Sequence, residues 1–138
     1  MKCCGMLAVP IRVASLFLIA ILLSACVSGR SLSEPEKFKL LREGQVPVSS
    51  VSAFADCLLD GFDKAHFVLT NSTARTQRRS DSYRVETLSG GRLLKISVDV
   101  FDDGRVQLFE AKAAALVNTS GERDAFEKCL EQYGTPRQ

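Results

Sequence analysis

Few residues in this 138-residue chain are of types that do chemistry, and their spacing limits what each could do. A single histidine, His66, and the cysteines Cys57 and Cys129 are the materials of a thiol nucleophile activated by a base. The same two cysteines in an oxidising compartment would instead form a disulfide. No His or Cys cluster with metal-ligand spacing surrounds His66, which stands between a predicted helix end and a predicted strand, where it could bond a free carbonyl. Asp102-Asp103 has the residue types of general acid–base catalysis or of a calcium site, but Gly104 follows at once, and that combination between two strands makes a turn. Neither phosphate-cradling glycine pattern (GxxxxGK[ST] or GxGxxG) nor a GxSxG nucleophile elbow occurs. Arg75, Arg78 and Arg79 form the only local charge surplus. They would suit an anionic partner that presents phosphates, carboxylates or an acidic protein face. Equally, they would suit an exposed edge whose charges discourage strand pairing.

The amino terminus is more specific. Lys2 and Arg12 precede Val13–Leu23, an uncharged apolar run, and small residues follow at Ser24 and Ala25 before Cys26. Basic, apolar and small segments in that order make a secretory signal peptide. The run is shorter than the ~20 residues that a membrane span requires. Leu23-Ser24-Ala25-Cys26 closely resembles the lipobox of bacterial lipoproteins: a leucine, two small residues and the cysteine that becomes lipidated. The resemblance covers residues 1–26. It implies that the Cys26 thiol receives a diacylglyceryl group, that residues 1–25 are cleaved, and that the new amino terminus is acylated as well. Two or three chains hold stably, since each buried CH₂ contributes about 0.8 kcal/mol and one chain alone is marginal. Val27 is not the aspartate of an inner-membrane retention signal. The implied location in a Gram-negative cell is therefore the outer membrane, facing the periplasm, with the acyl chains on Cys26 as the membrane contact.

Cleavage would change the composition that matters. Lys2 and Arg12 leave with the leader, which holds no acid, so the formal charge of +2 falls to zero over Cys26–Gln138. Nucleic-acid binding needs a basic surplus, and none remains. Cys3 and Cys4 also leave and Cys26 is occupied, so Cys57 and Cys129 are the pair expected to bridge. Closing so long a loop is worth roughly 4 kcal/mol on the chain-entropy argument. A reactive thiol with His66 as its base is the competing expectation.

The elements that must position these residues follow from periodicity. Residues 26–48, rich in Ser, Gly and Pro, are expected to be a tether, with a short helix over Glu34–Arg42 where Ser33 and Glu36 have capping-box spacing. Ser50 opens a helix over Val51–Lys64, with Val51, Phe54, Ala55, Leu58 and Phe62 on one stripe, Cys57 at its edge, and Gly61 weakening the last turns. Phe67–Thr70 predicts a short strand, and Asn71–Ser82 either a loop or a solvated edge hairpin. Three strands follow over Ser82–Ser89, Arg92–Phe101 and Arg105–Lys112, joined at Gly90-Gly91 and Asp102-Asp103-Gly104. In the middle strand, Leu94, Ile96, Val98 and Val100 alternate with Lys95, Ser97 and Asp99, which are expected on the opposite face. Thr119 and Glu122 form a second capping box before a helix to Tyr133, whose stripe is Ala125, Phe126, Cys129, Leu130 and Tyr133.

One domain is expected over residues 49–138: a small two-layer α+β fold in which a helix, an antiparallel meander of three or four strands and a second helix follow in order, the helices bridged by Cys57 and Cys129. That layout is similar to small lipoproteins of Gram-negative bacteria, a likeness that brings no activity with it. The expected role is a lipid-anchored binding or accessory module of the cell envelope, its partner an envelope protein or a cell-wall component, without a cofactor. Two alternatives stay open: a small envelope hydrolase or thiol enzyme using His66, and a structural tether to the cell wall.

Overall fold

The computed structural model describes residues 35–65 and 71–134. The leader, Cys26, His66 and the strand expected over Phe67–Thr70 lie outside them. Seven elements build the fold: β1 (Phe38–Gln45), α1 (Val51–Lys64), β2 (Ser72–Arg78), β3 (Ser82–Ser89), β4 (Leu93–Phe101), β5 (Arg105–Ala111) and α2 (Ser120–Tyr133). The strands form one five-stranded antiparallel sheet in the order β1-β5-β4-β3-β2. The α+β class and the bridged helix pair agree with expectation. The sheet is larger than the three or four strands predicted, and a strand precedes the first helix.

That extra strand is the predicted helix of the tether. In Phe38–Gln45, the less exposed positions recur every three residues, at Phe38, Leu41 and Gly44. A β-bulge between Leu40 and Arg42 produces the period, because two residues of β1 there oppose one of β5. Leu41 is thereby turned onto the core. The sheet thus takes in residues assigned to the tether, and β1 is held along its whole length by β5. At the other edge, Ser72–Arg78 is a strand paired with β3, which decides between the two readings of Asn71–Ser82.

Both helices lie on one face. Phe54, Leu58 and Phe62 of α1 and Phe126 and Cys129 of α2 meet Val85, Ile96, Val98, Val100, Val106 and Leu108 of the sheet in one buried cluster. The Phe54 ring stands edge-on to Phe126 at 6.1 Å and to Tyr133 at 6.5 Å, a geometry that suits the ring quadrupoles. Gly44 lets α2 come down on β1, since a Cβ there would sit 2.9 Å from Leu130 Cδ1.

The expectations about the capping residues and about Lys95 fail. Neither Ser50 nor Thr119 makes a side-chain cap bond. The Thr119 hydroxyl donates to Glu110 of β5, and the Glu122 carboxylate takes Lys95 Nζ at 2.9 Å and the Thr87 hydroxyl at 3.2 Å. Lys95 can reach Glu122 because the β3–β4 register shifts between Thr87 and Leu88, leaving Lys95 as the extra residue of a bulge. Lys95, expected on the face opposite Ile96 and Val98, is thereby brought to α2, and Lys95, Ser97 and Asp99 are all buried, at 1%, 0% and 3% exposed. The start of α2 is thus fixed by ionic contact with the sheet rather than by its own box.

Candidate functional site

Cys57 and Cys129 are disulfide-bonded, with Cα atoms 6.0 Å apart. What brings them together is a run of small residues on each helix at every fourth position, the spacing that stacks side chains along one face. Gly61 of α1 meets Ala125 of α2, where a Cβ on the glycine would lie 2.8 Å from the alanine Cβ. One turn away Gly121 meets Ala65 in the same manner at 3.0 Å, and one turn in the other direction stands the disulfide. Helices carrying larger residues in these places could not approach closely enough to close the bridge. Gly61, expected to weaken α1, is what lets the helix pair seat.

Above the bridge runs an open groove of about 810 Å³ between the helices. Asp56, Asp60 and Asp124 line it together with Lys64 and Lys128, so neither sign of charge dominates. The disulfide occupies both sulfurs, which removes the thiolate that a cysteine nucleophile needs. Among the described residues, no group of three or more His, Cys, Asp or Glu side chains could hold a metal ion.

The three arginines do not form one patch. Arg75 and Arg78 are three residues apart on a strand and so point to opposite faces. Arg75 is tied to the buried Glu86 carboxylate of β3, through Nε at 3.0 Å and Nη2 at 2.9 Å. Arg78 makes a fork with Asp102, Nη1 to Oδ1 at 2.6 Å and Nη2 to Oδ2 at 2.7 Å, while its guanidinium stacks 4.6 Å above the Tyr83 ring. Arg79 follows the end of the strand, its backbone N–H bonded to the Ser82 carbonyl. The charge surplus seen in sequence is largely spent within the sheet.

Asp102 and Asp103 are likewise separate devices. The hydrogen bonds from Arg78 hold the Asp102 carboxyl below its ordinary value, and in return raise Arg78. Arg105 does the same for Asp103 through its side chain, with Nε at 2.8 Å, and then its backbone N–H. Both carboxyls are held below their ordinary value by separate arginines, so neither has the raised value of the acid in an acid–base dyad. Gly104 sits at φ +86°, which the turn requires, and a Cβ there would collide with the Val46 carbonyl.

Sequence reasoning did not find the ionic residues of the sheet's far face. Arg84 and Asp99 are both buried and pair across β3 and β4, Nε to Oδ1 at 2.6 Å and Nη2 to Oδ2 at 3.0 Å. Next to them Glu86 and Ser97 stand opposite in register, and Glu86 Oε1 and Ser97 Oγ make no hydrogen bond among the described residues. The available signal was the in-register charge pattern of Arg84 against Asp99, legible only once the hairpin register at Gly90-Gly91 is known. In comparisons with protein-family models, curated proteins and solved structures, nothing matches this chain.

Proposed function

We propose that this protein is a lipid-anchored module of the cell envelope that acts by binding, held at a membrane through acyl chains on Cys26 and presenting its α+β domain to an envelope protein or a cell-wall component. The observation that carries the reading is the division of labour among cysteines. Cys57 and Cys129 are joined to each other. Within Cys26–Gln138 that leaves Cys26 unmatched, at the place where Leu23-Ser24-Ala25 resembles a lipobox. A bridge between sequence-distant cysteines suits an oxidising compartment, the one a signal peptide leads to. For a Gram-negative cell, Val27 favours the outer membrane with the domain in the periplasm. No helix among the described residues is long and apolar enough to cross a membrane.

Binding is preferred to catalysis on chemical grounds. The bridged sulfurs supply no nucleophile, and Asp102 and Asp103 are each engaged with an arginine. Crosslinking in living cells, followed by identification of what is captured, tests the role. A defined envelope protein or peptidoglycan fragment, recovered only from the acylated form, is the expected result. Turnover of an envelope substrate by the purified, bridged protein would overturn it.

A further inference from the structure

The two ends of the sheet differ in a way that bears on how the anchored domain sits. The chain enters β1 at Phe38, and the antiparallel register puts Ala111, Leu93 and the Gly90-Gly91 turn at that same end. Large apolar side chains are exposed at Leu40, Val48, Leu93 and Leu116. Three of these belong to the entry end: Leu40 in the first turns of β1, Leu93 opening β4, and Leu116 in the single 3₁₀ segment (Lys112–Leu116) that follows β5. Leu116 is 98% exposed, and exposure this complete in a leucine has no packing role.

Basic residues surround them. Lys39, Arg92 and Lys112 are exposed at this end, one from each of the three adjoining segments. Its exposed acids are Glu36, Asp63 and Asp124, and Lys37, Lys64 and Arg123 are exposed there as well, so basic residues outnumber acidic ones. At the opposite end the charges are consumed in pairs, Arg78 with Asp102 and Arg105 with Asp103. Apolar side chains ringed by lysine and arginine are the chemistry of a surface that lies in the headgroup layer of an anionic bilayer.

Chain length points the same way. Eight residues lie between Cys26 and Pro35, and the nine steps from one to the other span at most about 30 Å when fully extended. The chain from the acylated residue therefore enters the domain at the end bearing Leu93 and Leu116, within about 30 Å of the anchor. We infer that this end of the domain docks on the bilayer that holds the anchor, with Leu116 entering the interface and Lys39, Arg92 and Lys112 meeting anionic headgroups. The inference rests on the anchoring proposed above and deepens it: the acyl chains set the distance, and this surface sets the orientation. The Asp102–Gly104 turn then points away from the membrane toward a partner.

The chain has no tryptophan, so one introduced residue reports alone. Acylated protein, matured from the full precursor in cells and purified, is reconstituted in vesicles of phosphatidylethanolamine and phosphatidylglycerol as Leu116→Trp and, at the opposite end, Val48→Trp. Acylation is read separately by mass, and attachment by flotation. The expected result is a blue-shifted Leu116→Trp emission that brominated lipid quenches on the order of twofold, since an interfacial side chain lies ~5–10 Å into the boundary. Val48→Trp stays unquenched. Adding K39E, R92E and K112E abolishes the quenching while the protein still floats. Acylated, floating protein with Leu116→Trp unquenched overturns the docked surface and leaves the anchor standing. Protein without acyl mass on Cys26 overturns both.

Discussion

Gly61 and Ala125 face each other between the helices, one turn from the Cys57–Cys129 bridge: a methyl group on the glycine would lie 2.8 Å from the alanine Cβ. The contact inverts the ordinary ranking of helix residues. Gly61→Ala should raise stability by ~1 kcal/mol on propensity alone. Here that gain is expected to vanish, and Gly61→Leu should cost about 1–3 kcal/mol through overpacking. Urea denaturation of the oxidised proteins measures both. A Leu variant as stable as wild type would show that the helices do not meet as described.

The bridge itself adds to a pair of helices already seated by small residues and the shared core. Replacing Cys57 and Cys129 together with alanine should lower stability by about 2–4 kcal/mol, with the far-ultraviolet dichroism kept. Loss of all secondary structure at room temperature would mean that the core cannot hold the helices unaided.

Arg84 and Asp99 form a buried ion pair whose members depend on each other. Removing one partner, as in Arg84→Met or Asp99→Leu, should cost about 3–5 kcal/mol, because the other charge is stranded. Removing both should recover most of that loss. A double-mutant cycle with no coupling would refute the pairing.

The arginines of β2 are expected to behave as sheet residues. Arg75→Ser strands the buried Glu86 carboxylate and should destabilise the fold, whereas Arg78→Ser releases an exposed pair and should do little at neutral pH. The Asp102 and Asp103 carboxyls are held below the ordinary 3.8 in the folded protein. Their contribution is therefore present above that value and is lost as the pH falls through the lowered folded values. The small difference between wild type and Asp102→Asn in thermal melts should shrink on acidification. A difference that grows in acid would reverse the assigned sign.

How far the fold was legible depended on whether a segment followed one period. Val51–Lys64, the meander from Ser82 to Ala111 and the helix to Tyr133 each follow one, and each forms as its pattern implies. β1 and Lys95 were misread at bulges, where one added residue changes which face a side chain takes. No local pattern announces such a residue, because its position is set by the neighbouring strand. The disulfide could be anticipated by elimination among the cysteines, whereas the fit of Gly61 on Ala125 required the helix pairing. The arginine cluster looked like a site because sequence displays charge without its partners, and Glu86 and Asp102 come from other strands.

Everything proposed about location turns on Cys26. Intact-mass and peptide mass spectrometry of the protein extracted from cell membranes, with and without globomycin, tests it most directly. The account predicts a chain beginning at Cys26, carrying acyl mass there and a Cys57–Cys129 bridge, with the leader retained under globomycin. A soluble protein that keeps residues 1–25, with an unmodified Cys26 and reduced Cys57 and Cys129, would contradict it.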